Sequence, residues 1–291
     1  DGVWADDLHH VAHVLVTGER DGYYAGYTPS VAELARCLRE GWVYSGQSWP
    51  LSGEPRGKPR GSLPRARLVT SLQNHDQVGN RALGERLSSL VDGDTYAAVA
   101  LLFLLAPTTP LLFMGEEWGS RRPFLFFTDH HEELGRAVVE GRRKEFRSFA
   151  AFADEAHAAQ IPSPQELRTF EACVLDHGEA EREPHAALRR MYQEALAVRR
   201  TEVVPRREDL RAEAEGSLLV VRYGADRVLL VSFGDEAVPV APHLGGVPAR
   251  LLVATPSTAA HLGAASTHAL EEGATLPPRG AAFFALTGGA S

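Results

Sequence analysis

Apolar residues recur at Val31, Leu34, Ala35 and Leu38, the spacing of one helix face, and Gly41 stands where such a helix stops. Residues 42–66 then carry four Gly and four Pro among Arg and Lys, which predicts a long loop. Loops of this length are usually functional or mobile. Residues 67–72 are a short apolar run of strand length, closed by the polar Gln73-Asn74-His75-Asp76-Gln77. Residues 95–106 are apolar nearly all round and predict a helix buried on most sides, with Pro107 and Pro110 as breakers. Leu111-Leu112-Phe113-Met114-Gly115 predicts a second buried strand, ending in Glu116-Glu117-Trp118-Gly119. Strand, polar loop, helix, strand, polar loop is the rhythm of a parallel βα fold.

The charged stretch 129–160 is compatible with helix. Residues 189–200 predict a further helix, with Met191, Tyr192, Ala195 and Leu196 on one face. The period then shortens. Residues 217–223, 227–233, 250–254 and 281–286 are short β-like runs separated by Gly- or Pro-containing turns. A small antiparallel β domain is therefore expected over residues 201–291, after a βα part over residues 1–200. No internal repeat is visible.

Composition narrows the class. At roughly 150 residues per domain, 291 residues suggest two domains. With 44% apolar and 23% charged residues the chain can bury a large core, which excludes disorder as its main state. No apolar run reaches the ~20 residues needed to span a bilayer. A formal charge of −8 argues against a nucleic-acid or membrane-surface binder. Cys37 and Cys173 are far apart and match no metal spacing, which fits a reducing cytoplasm. The chain opens Asp1-Gly2-Val3-Trp4 with no initiator Met and no signal peptide, so it reads as cut or processed from something longer.

In βα folds the chemistry sits on loops after the C-terminal ends of strands. Asn74, His75 and Asp76 follow the first strand, and Glu116 and Glu117 follow the second. A carboxylate beside an imidazole and an amide can bind vicinal sugar hydroxyls, since it accepts while the others donate. An ordinary polar turn is the plainer reading of the spacing alone. Near the start, Asp6, Asp7, His9, His10 and His13 cluster. His9 and His13 share a helix face, as zinc ligands do. There is no HExxH and no third ligand, so the cluster reads as the polar wall of a binding site or a hydrogen-bonded helix start, with no metal. All four Trp (4, 42, 49, 118) and five of the seven Tyr (23, 24, 27, 44, 96) lie in the first 118 residues. Aromatic faces beside polar loops suit sugar rings, although each one alone fits a core equally well. No nucleophile elbow, phosphate loop or dinucleotide glycine pattern is present, and no cofactor is implied.

Gln73-Asn74-His75-Asp76-Gln77-Val78-Gly79-Asn80-Arg81 resembles the last signature region of the α-amylase superfamily, glycoside hydrolase family 13. Pro110-Leu111-Leu112-Phe113-Met114-Gly115-Glu116-Glu117-Trp118-Gly119 resembles its eighth barrel strand and following loop. Trp4-Ala5-Asp6-Asp7-Leu8-His9-His10, Thr17-Gly18-Glu19, Gly22-Tyr23-Tyr24, Phe126-Phe127-Thr128-Asp129-His130 and Gly141-Arg142-Arg143-Lys144-Glu145-Phe146 narrow the match. They resemble the hydrolases that release trehalose from malto-oligosyltrehalose, close relatives of glycogen branching enzymes.

The resemblance implies a retaining glycosidase on a (β/α)8 barrel with a C-terminal β-sandwich-like domain. Such an enzyme cuts the α-1,4 bond next to a terminal trehalose unit. It needs a nucleophile and an acid/base carboxylate ~5–5.5 Å apart. Asp76 matches a third carboxylate that grips ring hydroxyls in the transition state, with Asn74, His75, Gln77 and Arg81 as its neighbours. Trp4, Asp6, Asp7 and His10 match the side that holds the trehalose unit, and Glu117 and Trp118 are further binding candidates. In the family both the nucleophile, two residues after an Arg, and the acid/base precede the segment matched by residues 4–10. No R-x-D follows a strand in the right place here. A complete barrel takes ~250 residues. Residues 1–200 therefore match only its last part, roughly three βα units. The resemblance implies the C-terminal half of an enzyme, inactive alone, prone to aggregate, and completed by the missing N-terminal half of the barrel. A branching-enzyme-like glycosyl transferase and a non-catalytic sugar-binding subunit are the alternatives.

Overall fold

The apolar run before Gln73 becomes the centre of a parallel sheet. The computed structural model describes residues 1–146, 160–263, 270 and 273–287. Strand β2 (Leu68–Ser71) lies between β1 (Val3–Trp4) and β3 (Thr109–Leu111) in the order β1-β2-β3. Val3 pairs with Leu68 on one side and Ser71 with Leu111 on the other. Parallel neighbours need crossover connections. Helices α1 (Asp7–Thr17) and α2 (Val31–Glu40) supply the first. Helices α3 (His75–Gly79), α4 (Leu87–Leu90) and α5 (Gly93–Leu105) supply the second.

Helix α2 buries the predicted face: Val31, Leu34, Ala35 and Leu38, together with Cys37. It ends at Gly41, whose φ of 99° only glycine adopts easily, and a Cβ there would meet Leu68 Cδ1 at 2.8 Å. Helix α5 is buried on every side, and Asp92 caps it by accepting from the Thr95 amide at 2.9 Å. Its C-terminal carbonyls are satisfied from outside. Buried Arg199 donates to the carbonyl oxygens of Leu104 (2.8 Å), Ala106 (2.5 Å) and Thr108. Tyr223 donates to that of Leu105.

The second strand differs from the expectation. It spans Thr109–Leu111, so Pro110 lies inside it and Leu112 to Met114 lie beyond it. Among the described residues only β2 pairs with this strand, and an edge strand tolerates the missing proline N–H. Helix α6 (Glu132–Phe146) realises the first part of the charged stretch, while 147–159 lie outside the described residues. Helices α7 (Leu167–Ala172) and α8 (His185–Val198) follow.

Beyond α8 the chain forms a five-stranded antiparallel sheet in the order β4-β5-β6-β10-β8. Its strands are β4 (Leu210–Glu215), β5 (Leu218–Tyr223), β6 (Arg227–Ser232), β8 (Ala249–Ala254) and β10 (Ala281–Leu286). The short pair β7 (Val238–Pro239) and β9 (Thr275–Leu276) and helix α9 (Pro256–His261) flank it. Period-two alternation sends Leu219, Val221, Tyr223, Leu229, Val231 and Phe283 into the core shared with α1, α2, α5 and α8. Leu218, Val220, Val228, Leu230 and Phe284 turn to a second core with Leu244 and Leu276. Strand β4 was not expected, because Leu-Arg-Ala-Glu-Ala-Glu is rich in helix formers. Pairing with β5 overrides that propensity and buries Leu210 and Ala212 while Arg211 and Glu213 face out. Among the described residues no helix is long and apolar enough to cross a membrane.

Candidate functional site

Parallel pairing brings the ends of β1 and β2 to one edge of the sheet. The Ala5 amide donates to the Val69 carbonyl at 2.9 Å, which sets Asp6 beside the loop that leaves β2. Asn74 in that loop is the N-cap of α3: its side-chain oxygen accepts from the amides of Asp76 (3.0 Å) and Gln77 (3.1 Å). The cap fixes the backbone at Asp76. Between the two strand ends lies an open cleft of about 380 Å³. Trp4, Asp6, His10, Asn74, Asp76 and Gln77 line it, with Tyr23, Tyr27, Arg56 and Asn80 completing its wall.

The cleft is polar, with Asp6 and Asp76 as its acidic side chains and Arg56 as its basic one. The Asp76 side chain is 73% exposed, with His75 Nε2 3.5 Å from its Oδ1. Burial, and after it the charges of Asp7 and Asp76, raises the Asp6 carboxyl above its usual range. The opposing charge is Arg56. Its guanidinium lies over the Trp49 ring, 3.9 Å from the centroid, and 3.9 Å from Asp7 Oδ1. Trp4 is 54% exposed and offers an uncovered ring at the rim.

Helix α1 carries three histidines: His10 lines the cleft, and His9 and His13 bond to protein groups behind it. His9 Nδ1 donates to the Leu72 carbonyl at 2.6 Å, leaving Nε2 to accept from Tyr24 at 3.1 Å. His13 Nε2 meets Glu19 at 2.7 Å, and Glu19 also takes two bonds from Arg81 at 2.7 and 2.8 Å. Burial pushes the Glu19 carboxyl up, but the hydrogen bonds from Arg81 and His13 outweigh it and hold it well below the carboxylate range. His9 and His13 are thus spent on structure. Among the described residues no three His, Cys, Asp or Glu side chains stand together as metal ligands.

The buried histidines have a consequence for stability. Burial first, then Arg56 and His13, push the His10 imidazolium down to about 4 against the pull of Asp7. Burial, His10 and His13 push His9 well below its usual value. An unfolded histidine takes a proton below about 6.5, whereas folded His10 waits until about 4, so stability is lost as pH falls through that window. The Glu19 contribution starts to be lost as pH falls through the ordinary carboxyl value of 4.5 and goes on being lost below it. Urea unfolding across pH is therefore expected to show a His10 component of roughly 3 kcal/mol between those values. It disappears in His10→Gln, and an unchanged slope in that variant would contradict the assignment.

The remaining candidates sit outside the cleft wall. Asp7, although adjacent to Asp6, turns inward: its oxygens accept from Tyr27 (2.6 Å) and from the amides of Val43 (2.8 Å) and Tyr44 (3.3 Å). Arg81 is held by Glu19 and Glu85. Glu117 and Trp118 line a separate groove with Leu175, His177 and Arg189, where Trp118 packs on His177 at 5.5 Å. Glu116 is buried beneath that loop, and burial raises its carboxyl well above the usual range. Arg56 had no sequence signal beyond lying in the long Gly- and Pro-rich loop.

No family model matches the chain. It is 44% identical over 270 residues to the malto-oligosyltrehalose trehalohydrolase of Deinococcus radiodurans, covering 88% of this chain and 44% of that protein. It is also 44% identical over 220 residues to that of Arthrobacter ramosus, covering 74% of this chain and 37% of that one. The chain is homologous to malto-oligosyltrehalose trehalohydrolase. The match lies on a C-terminal portion of those trehalohydrolases, which belong to the α-amylase family. A crystal structure from Salmonella typhimurium assigned to the α-amylases superimposes with a TM-score of 0.81 at 33% identity, over 98% of this chain and 47% of that one. The chain spans less than half the length of the curated trehalohydrolases it matches.

Proposed function

We propose that residues 1–200 are the last part of a trehalohydrolase barrel and residues 201–291 its C-terminal β domain, with the cleft holding the trehalose end of malto-oligosyltrehalose. Asp76 grips ring hydroxyls, and Asn74, Gln77, His75 and Arg81 set its place. Trp4, Asp6 and His10 receive the trehalose unit, with Asp7 supporting them from behind. Glu117 and Trp118 contact more distant parts of the substrate. The observation that carries this reading is the convergence of Trp4, Asp6, His10 and Asp76 on one cleft at the ends of parallel strands. Acceptors and donors suit the rims of sugar rings, and a half-exposed indole suits their apolar C–H faces.

The nucleophile and acid/base are supplied by the segment that completes the barrel. The open edges support this: Val3 is 43% and Leu112 42% exposed on and beside the two edge strands. Calorimetry of the chain with maltotriosyltrehalose tests the binding role. One site is expected, and Trp4→Ala weakens it by about tenfold, roughly 1.4 kcal/mol. Absence of binding, or equal affinity for an unmodified maltooligosaccharide, would overturn the reading. Formation of α-1,6 branches by the completed enzyme would instead identify a transferase.

A further inference from the structure

The inner face of the cleft contains a chain of hydrogen bonds whose direction is fixed at one end. Asp7 is buried, and its two oxygens meet three donors: the Tyr27 hydroxyl at 2.6 Å and the amides of Val43 and Tyr44. With every neighbour donating, the carboxylate only accepts. The single Tyr27 proton is therefore spent on Asp7, and the phenol oxygen has only lone pairs left. His10 Nδ1 lies 3.1 Å from that oxygen, so it must carry the ring hydrogen and donate. His10 Nε2 is left with a lone pair and has no hydrogen-bond partner among the described residues, while its ring lines the cleft.

We propose that Asp7, Tyr27 and His10 form a proton-ordering relay that presents His10 Nε2 to the cleft as the acceptor for one hydroxyl of the bound sugar. Tyr27 is the positioning residue: it acts through His10. The acceptor role rests on the reading of the cleft as a sugar site; the proton order does not. The rings of Tyr27 and His10 lie 4.8 Å apart at 32°, so packing and hydrogen bond together hold the imidazole in one orientation. The relay differs from its neighbour on α1, since His9 finds protein partners for both ring nitrogens. A neutral imidazole suits the task, because burial keeps His10 from taking a proton near neutral pH. Asp6 and Asp76 can also accept, but they are charged and one is widely exposed. His10 supplies a neutral acceptor of fixed direction, which selects for the position of a hydroxyl rather than for negative or positive charge.

The test uses the whole 291-residue chain with 15N-labelled histidine, the His10 ring assigned by His10→Gln. At pH 7 the wild type is expected to show hydrogen on Nδ1 alone. Saturating maltotriosyltrehalose should shift Nε2. Tyr27→Phe keeps the ring and removes the ordering hydroxyl. It should populate the other tautomer and weaken sugar binding by about tenfold, the worth of one hydrogen bond. In a His10→Gln background the amide oxygen accepts whatever stands at position 27, so Tyr27→Phe should then change affinity little. A wild-type ring carrying hydrogen on Nε2 overturns the relay. Equal losses in both backgrounds overturn it too, since Tyr27 would then act by packing. Sugar that binds without moving Nε2 overturns the acceptor role. A wild-type chain that binds no sugar overturns the cleft reading and the acceptor role with it, while the tautomer measurement still decides the proton order.

Discussion

In a trehalohydrolase completed on this sequence, Asp76→Ala lowers kcat/KM for trehalose release by about a thousandfold and leaves the fold in place. The size of the loss follows from what the carboxylate does. In retaining glycosidases the sugar distorts toward an oxocarbenium-like geometry, and hydrogen bonds to ring hydroxyls strengthen as it does so. A group whose grip tightens in the transition state acts mainly on kcat, so KM should change far less. Asp76→Asn keeps the shape but not the charge, and should lose nearly as much. The fold survives because the side chain is 73% exposed and its ion pair is with the also surface-facing His75, at 3.5 Å. Helix α3 is capped by Asn74 rather than by Asp76. Surface substitutions of this kind change stability by less than about 1 kcal/mol. Removing the Asp76 charge also removes one of the influences that raise the Asp6 carboxyl, so the Asp6 titration should move down in the variant. Turnover within a few-fold of wild type would show that this loop has been given the wrong role.

Much of this arrangement is written in local pattern. The apolar run of β2, the uniformly buried α5 and the period-two strands β5, β6, β8 and β10 are legible because burial on one face or all faces leaves a direct trace in residue type. Strand β4 leaves a poorer trace: its Ala and Glu residues suit a helix, and only the neighbouring β5 edge selects the extended form. The start of β3 is hidden because Pro110 reads as a breaker until its edge position is known. At the cleft, Asn74 and Asp76 are visible through their motif. The different fates of Asp6 and Asp7 are not. Successive helical positions point about 100° apart, and only the fold decides which of two adjacent carboxylates faces the cleft and which faces Tyr27. Arg56 lies in a loop without periodicity, and its place is set by Trp49 and Asp7, which are distant or unremarkable in sequence.

The account divides binding from bond breaking. Hydrolysis with retention needs two carboxylates flanking the scissile bond, one to attack and one to give and take a proton. The cleft offers Asp6 and Asp76, and the resemblance assigns Asp76 to hydroxyl binding and both reacting groups to the segment that completes the barrel. The exposed edges of β1 and β3 are where such a segment would pair. The most direct test is trehalose release from maltotriosyltrehalose, measured with the purified chain alone and after mixing with the remaining half of a trehalohydrolase barrel. No release by the chain alone, and release on mixing that disappears again with Asp76→Ala, is the predicted result. Release of trehalose by the purified chain on its own would contradict it.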